Sequence, residues 1–247
     1  MTSTSVRQFA GANIKGTPRM RRRKVAEDLR TIRANADALA LQEFRHRSYW
    51  LALAANLRSW GSFPSAASGL ARPVRGAQAL AWRRSIWRRR GSRIKRLHRG
   101  RAGISEDRYL RAVLLEDKAT GVRCWHGSTH FVVGGDDPTD GPVRRAMLEH
   151  DLERWAEFLD GLADTGHPVV WHMDANVHKG TRAHDRIVEV VTAHGGRILG
   201  EHGVEYLIVL PGNKARVGGV VLWRLRAGIV LNTDHEARGM TYRLFAR

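Results

Sequence analysis

The 247-residue chain is 43% hydrophobic and carries 42 Lys and Arg against 24 Asp and Glu, a net charge of +18. Its apolar content supports a globular core and excludes a wholly disordered chain. A single cysteine, Cys124, excludes an internal disulfide and the paired CxxC ligands of a zinc finger. No stretch has the apolar length of a membrane helix, and the start MTSTSVRQF lacks an apolar signal core, so a soluble, cytoplasmic protein is expected. The charge is unevenly placed. Residues 1–111 hold 26 basic and 6 acidic residues, a net of +20, and the remainder holds 16 and 18, a net of −2. That asymmetry points to a polyanionic partner, most simply a nucleic acid, with an anionic membrane surface as the competing reading.

In chain order, Ser5 to Ile14 reads as a strand ending in Asn13. Thr17-Pro18 opens a helix, with Thr17 as N-cap and Pro18 in the first turn. Met20, Val25, Leu29, Ile32 and Ala36 follow close to helical spacing. Asp37 to Phe44 reads as an apolar strand ending in Gln42-Glu43. His46 to Leu57 is a candidate helix, and Gly61 to Gly76 reads as loop. Ala77 to Trp87 reads as one strand. From Arg83 to Arg101 there are ten Arg or Lys and no acid. This run is expected to be a basic loop or insertion contacting phosphates through Arg83, Arg84, Arg88, Arg89, Arg90, Arg93, Lys95 and Arg96. Tyr109 to Leu115 and Val122 to Val133 form a strand pair around a turn at Asp117 to Gly121.

Gly134 to Pro142 is an acidic loop. Leu148, Leu152, Trp155, Leu159 and Leu162 then step by four and three, one apolar helical stripe stopped by Gly166. The strand beginning Val169-Val170-Trp171 leads into His172, Asp174 and Asn176. Side chains two apart on a strand share a face, so Asp174 and Asn176 are expected side by side at its tip. A helix from Arg182 to His194, strands at Val204 to Leu210, Val217 to Arg226 and Gly228 to Leu231, and a last strand at Met240 to Phe245 complete one domain, 1–247. Strand, helix, strand at this spacing reads as a layered α/β fold.

Polar groups thus recur at strand ends: Asn13, Glu43, His130, Asp174 with Asn176, and Asp234 with His235, plus Glu205 at a strand start. Carboxylates that bind Mg²⁺ and a carboxylate or imidazole that prepares water suit phosphodiester hydrolysis. A zinc site from His172, Asp174 and His178 fits no strong ligand spacing. The motifs NIKG, LALQEF, STHF, MDAN, VEYLIV and TDHE, in that order, resemble those of the endonuclease/exonuclease/phosphatase superfamily. The resemblance implies a four-layered α/β sandwich, two mixed β-sheets packed face to face with helices outside. It also implies a Mg²⁺-dependent site, with Mn²⁺ as a possible substitute. Glu43 would bind the metal with Asn13 helping, and Asp234 would lie near the metal or the water. Asp174 would activate or align that water and Asn176 would orient the phosphate. His130 and His235 would contact the scissile phosphate, and Glu205 would pair with His235. Three positions depart from the pattern: Met173 for glycine, Glu205 for aspartate and Thr233 for serine. The expected activity is a nuclease acting on DNA or RNA. The alternatives are a phosphatase or lipid phosphodiesterase of the same fold, or a non-catalytic nucleic-acid binder.

Overall fold

The computed structural model describes residues 4–14, 22–44, 53, 55, 59–64, 78–136, 139, 141–225 and 237–246. In chain order these form β1 (Thr4–Asn13), α1 (Arg22–Ala34), β2 (Ala38–Gln42), β3 (Trp60–Phe63), β4 (Ala79–Arg83), β5 (Trp87–His98), β6 (Arg108–Asp117) and β7 (Arg123–His130). There follow α2 (Pro142–Ala163), β8 (Val169–Asp174), α3 (Arg182–Ala193), β9 (Arg197–His202), β10 (Glu205–Leu210), β11 (Ala215–Leu225) and β12 (Ala237–Ala246). One sheet has the order β11-β12-β1-β2-β4-β3 and the other β5-β6-β7-β8-β10-β9. β1–β2 and β7–β8 are parallel pairs, and the remaining neighbours are antiparallel. Among the described residues no helix is long and apolar enough to cross a membrane.

Alternation along the strands builds three apolar layers. Phe9, Ala38, Ala40, Leu80, Val113, Val170 and Leu207 meet between the sheets. Ala10, Ala12, Leu39 and Leu41, the intervening residues of β1 and β2, pack with Val25, Leu29 and Ile32 of α1. Val169, Trp171 and Met173 turn the other way, into a cluster with Leu152, Trp155 and Leu159 of α2 and Ile187 of α3. The fold is therefore the expected four-layered sandwich, with each sheet covered by helix on its outer side. Pro142 sits in the first turn of α2, where its missing N–H costs nothing. Thr181 caps α3 by accepting from the His184 N–H at 3.2 Å.

The basic run is not a loop. Residues 84–86 make a turn, which splits the strand expected at 77–87, and Trp87–His98 is a regular edge strand paired antiparallel with β6. Its cations hid the strand period, because most of its side chains stand in solvent. Trp60–Phe63, which runs into the start of the loop expected at 61–76, is likewise a strand, and Arg197–His202 is a strand the apolar pattern did not indicate. Helix α1 is described from Arg22. The expected Thr17 cap, the helix expected at 46–57 apart from Leu53 and Ala55, and the strand expected at 228–231 lie outside the described residues.

Gly11 fixes how closely the sheets approach. A Cβ there would overlap the ring of His172 on the facing sheet. Gly11→Ala is therefore expected to lower stability by about 3 kcal/mol through overpacking. Thermal melts of Gly11→Ala, His172→Ala and the double variant check this. The double variant should be no less stable than His172→Ala alone, because the clash has then been removed.

Candidate active site

The parallel pairing of β1 with β2 and of β7 with β8 brings the C-terminal ends of four strands to one rim of the sandwich. Asn13 stands opposite Gln42, and His130 opposite Asp174. β10 runs antiparallel to β8, so its first residue, Glu205, stands opposite Asp174. β12 begins at Ala237 opposite Ala12. Five of the expected residues (Asn13, Glu43, His130, Asp174 and Glu205) therefore reach one edge through strand polarity alone.

Asp174 is the hub. Its side chain faces the inter-sheet space and is 1% exposed. Asn13 Nδ2 donates to its Oδ2 at 2.7 Å, and His130 Nε2 lies 3.5 Å from the same oxygen. The backbone N–H of Asn176 donates to Oδ1 at 3.3 Å. Asn176 is not Asp174's neighbour on the strand. β8 ends at Asp174, and Asn176 turns away with φ +50° while its Nδ2 donates to Phe131 O at 3.1 Å. The residue sharing Asp174's face is His172. Met173, the departure from the glycine of the motif, is fully buried on the helix side, so its bulk stays out of the site.

Among the described residues, the non-glycine positions with positive φ are Glu43 (+52°) and Asn176 (+50°), and both lie at this rim. Such a backbone costs of order 1–3 kcal/mol and persists where the surroundings impose it, commonly at functional sites. Glu43 is half-buried, just past the end of β2. Gln42 before it reaches between the sheets, where its Nε2 donates to Ser128 Oγ and to His172 Nδ1, each at 2.8 Å. This bridge pins the turn that presents Glu43. The motif reading assigns Gln42, Ser128 and His172 no role. Period two counted back from Asp174 along β8, and from His130 along β7, would have found His172 and Ser128.

His172 is fully buried, and burial lowers its pKa to about 4, opposed by Glu205 and assisted by Arg238. It is neutral at pH 7. Glu205 Oε2 lies 3.8 Å from Arg238 Nε. The expected partner of Glu205, His235, lies with Asp234 outside the described residues. A second residue missed in the sequence is Arg108, whose Nη1 is 2.8 Å from His130 Nδ1. His178, weighed for zinc, stands in solvent with its Nδ1 3.0 Å from Asp136, well apart in character from buried His172.

Among the described residues no group of three His, Cys, Asp or Glu side chains is disposed to hold a metal. Mg²⁺ asks less: one or two carboxylates with waters completing its shell. Asn13 gives its amide nitrogen to Asp174, so its oxygen is the atom able to meet a cation, and Glu43 directly follows Gln42, the residue paired with Asn13. An all-oxygen donor set of this kind fits a hard cation.

The eight expected phosphate-contacting cations divide. Arg83 donates to Arg33 O and Ala36 O and covers Trp60. Arg90 forks onto Glu116 at 2.8 and 2.6 Å, with Arg88 3.9 Å from the same carboxylate. Arg93 lies over Trp125 and donates to Gly161 O, and Lys95 pairs with Glu157 at 2.5 Å. These are largely fold contacts. Arg84, Arg89 and Arg96 are exposed, with no side-chain partner among the described residues. His98 pairs with Arg108 at the site rim and Arg88 with Glu116 at the other end. β5 thus carries cations along an edge about 27 Å long, at about 3.4 Å per residue.

No protein-family model and no curated protein matches the chain. Solved structures do match its fold. An endonuclease/exonuclease/phosphatase family protein from Bacteroides thetaiotaomicron superposes with TM-score 0.71 and 11% identity, covering 98% of this chain and 96% of its own. ANGEL2, a 2′,3′-cyclic phosphatase, gives 0.68 and 13%, covering 98% and 97%. TDP2 from D. rerio, complexed with a single-strand DNA product, gives 0.66 and 12%, covering 96% and 99%.

Proposed function

We propose that this chain, which has the endonuclease/exonuclease/phosphatase fold, is a metal-dependent phosphoester hydrolase that cleaves nucleic-acid backbones, DNA in the first place. The observation that carries the reading is the acceptor-only carboxylate of Asp174. It is buried at the rim of the sheets, with one oxygen shared between the Asn13 amide and the His130 imidazole. A carboxylate so held can orient a water and accept its proton. The His130 imidazole beside it can donate to a phosphate oxygen. Asn176, whose Nδ2 gives one hydrogen bond to Phe131 O at the exit of β7, keeps a second N–H that would orient the phosphate. Glu43 and Asn13, with Asp234, would hold Mg²⁺ or Mn²⁺, which when bound supplies electrostatic stabilisation of charge on the phosphate oxygens. His235 enters through the TDHE motif, as a second phosphate contact supported by Glu205.

Nucleic acid is preferred over a small phosphorylated substrate because of the length of the β5 edge. Its cations extend from Arg88 to Arg96, and a strand of DNA repeats its charge every ~3.4 Å. Exposed Arg84, Arg89 and Arg96 suit a partner with many phosphates, whereas one headgroup would meet only the rim. D. rerio TDP2, similar in fold, was captured with a single-strand DNA product. The second reading, a phosphatase, is favoured by the similarity to ANGEL2, a 2′,3′-cyclic phosphatase.

Supercoiled plasmid incubated with the protein and Mg²⁺ is expected to be nicked, and excess chelator to abolish nicking. Rising salt should lower the rate steeply, as phosphate contacts are screened. Intact plasmid together with phosphate release from a cyclic or inositol phosphate would replace the nuclease reading with the phosphatase one.

A further inference from the structure

We infer that Arg108 is a positioning residue that sets the tautomer of His130, making its Nε2 an N–H donor toward the reacting phosphate. The inference rests on the hydrolase reading for the phosphate, but the tautomer itself follows from the contact. Arg108 is 3% exposed, and its Nη1 lies 2.8 Å from His130 Nδ1. A guanidinium donates only and keeps its charge in proteins. The Nδ1 facing it must therefore accept. A neutral imidazole that accepts at Nδ1 carries its proton on Nε2. A proton on both nitrogens would set an N–H against an N–H. Nε2 is the atom that faces the site, 3.5 Å from Asp174 Oδ2.

The usual orienting partner of an active-site imidazole is a carboxylate or a carbonyl. It holds Nδ1–H and leaves Nε2 bare, to accept a proton from a nucleophile. A guanidinium imposes the reverse. His130 in this chain is built to donate, not to act as the general base, and the base is left to Asp174.

Arg108 and His130 are each held from behind. Gln78, with its amide oriented to satisfy both neighbours, donates to Tyr109 O at 2.7 Å and accepts from the His130 backbone N–H at 2.8 Å. Glu106 lies 3.5 Å from Arg108 Nη1. The turn leading to Arg108 is anchored by His98, whose Nδ1 is 2.7 Å from Asp151 and whose Nε2 is 3.0 Å from Ser105 Oγ. Asp151 also takes the Val132 N–H at 3.2 Å. That trio therefore ties α2 to the ends of β5 and β7 just beside the pair.

Nitrogen-15 NMR of histidine-labelled protein, with His130 assigned from a His130→Ala sample, reads the tautomer without any substrate. The wild type is expected to show bare Nδ1 and protonated Nε2 at pH 7. Arg108→Lys, which keeps a donor, should retain that signature, and Arg108→Met should lose it. On the cleaved substrate, Arg108→Met is expected to lower kcat about hundredfold with KM within about threefold. Arg108→Lys should recover most of the loss. In a His130→Ala background, Arg108→Met should cost nothing further. Protonated Nδ1 in the wild type, an unchanged tautomer in Arg108→Met, or an undiminished effect in the His130→Ala background would each overturn the inference. Absence of DNA cleavage with the Nε2–H tautomer present would count against the substrate reading alone.

Discussion

Asp174→Asn is expected to lower the rate of phosphodiester cleavage by about a thousandfold, within the range that a lost general base costs. Two effects combine, and they can be separated. The first is chemical: an amide cannot accept the proton of an attacking water. The second is geometric. The carboxylate accepts on both sides, Oδ2 from Asn13 Nδ2 and Oδ1 from the Asn176 N–H. An amide has one accepting atom, so whichever way the substituted side chain turns, its NH₂ faces a donor. Leaving one buried donor unsatisfied costs about 1–3 kcal/mol. Initial cleavage rates measured beside thermal melts divide the two. A rate loss near a thousandfold with a melting shift of only a few degrees supports Asp174 as the base. A rate within tenfold of wild type would remove Asp174 from the chemistry and leave the proton of the water to another acceptor.

Much of this site was legible in the sequence, because a sandwich converts period two into place. An apolar strand that ends in a polar residue leaves that residue at the rim, and Asn13, Glu43, His130 and Asp174 stand out on that signal. Order then decided the rest: two parallel pairs put four such ends at the same edge. The α2 stripe was equally plain, and Leu148, Leu152, Trp155, Leu159 and Leu162 are all buried as the spacing requires.

What escaped the sequence has physical causes too. β5 reads as a loop because an edge strand in solvent needs no alternation, and its arginines find partners that are far away in sequence, such as Glu116 and Gly161. Charge on an edge also discourages pairing with another chain, so part of the run serves the fold rather than a ligand. Extending β8 two residues too far places Asn176 on Asp174's face; a residue at φ +50° has left the strand. Gln42 and Arg108 could not be assigned from spacing, since each acts across the sheets or between strands on a partner that only the register brings near.

Acid should unfold this protein well above the pH at which its carboxylates alone would titrate. His126 is buried between the sheets, its Nε2 2.8 Å from the Tyr242 hydroxyl and its ring packed edge-on against Phe9 and Trp87. Burial lowers its pKa to about 3, and that of His172 to about 4. In the unfolded chain both take a proton near pH ~6.5. Below that value the unfolded chain holds more protons than the fold, so acid pulls the equilibrium toward it. Nothing is lost above about pH 6.5. The loss grows at about 1.4 kcal/mol per pH unit for each imidazole, until the folded pKa is reached. By pH 4 the two together remove on the order of 5 kcal/mol, comparable with the whole stability of many domains. Asp37 and Asp151, whose carboxyls are pushed up by burial, titrate with the opposite sign. Denaturant melts of the wild type, His126→Gln and His172→Gln between pH 7 and pH 4 isolate the imidazoles. Each variant should flatten the fall in stability over this window, by about half of the wild-type slope. A wild-type profile level from about pH 6.5 to 4, or variants with undiminished slopes, would show that these buried rings do not govern the acid limit.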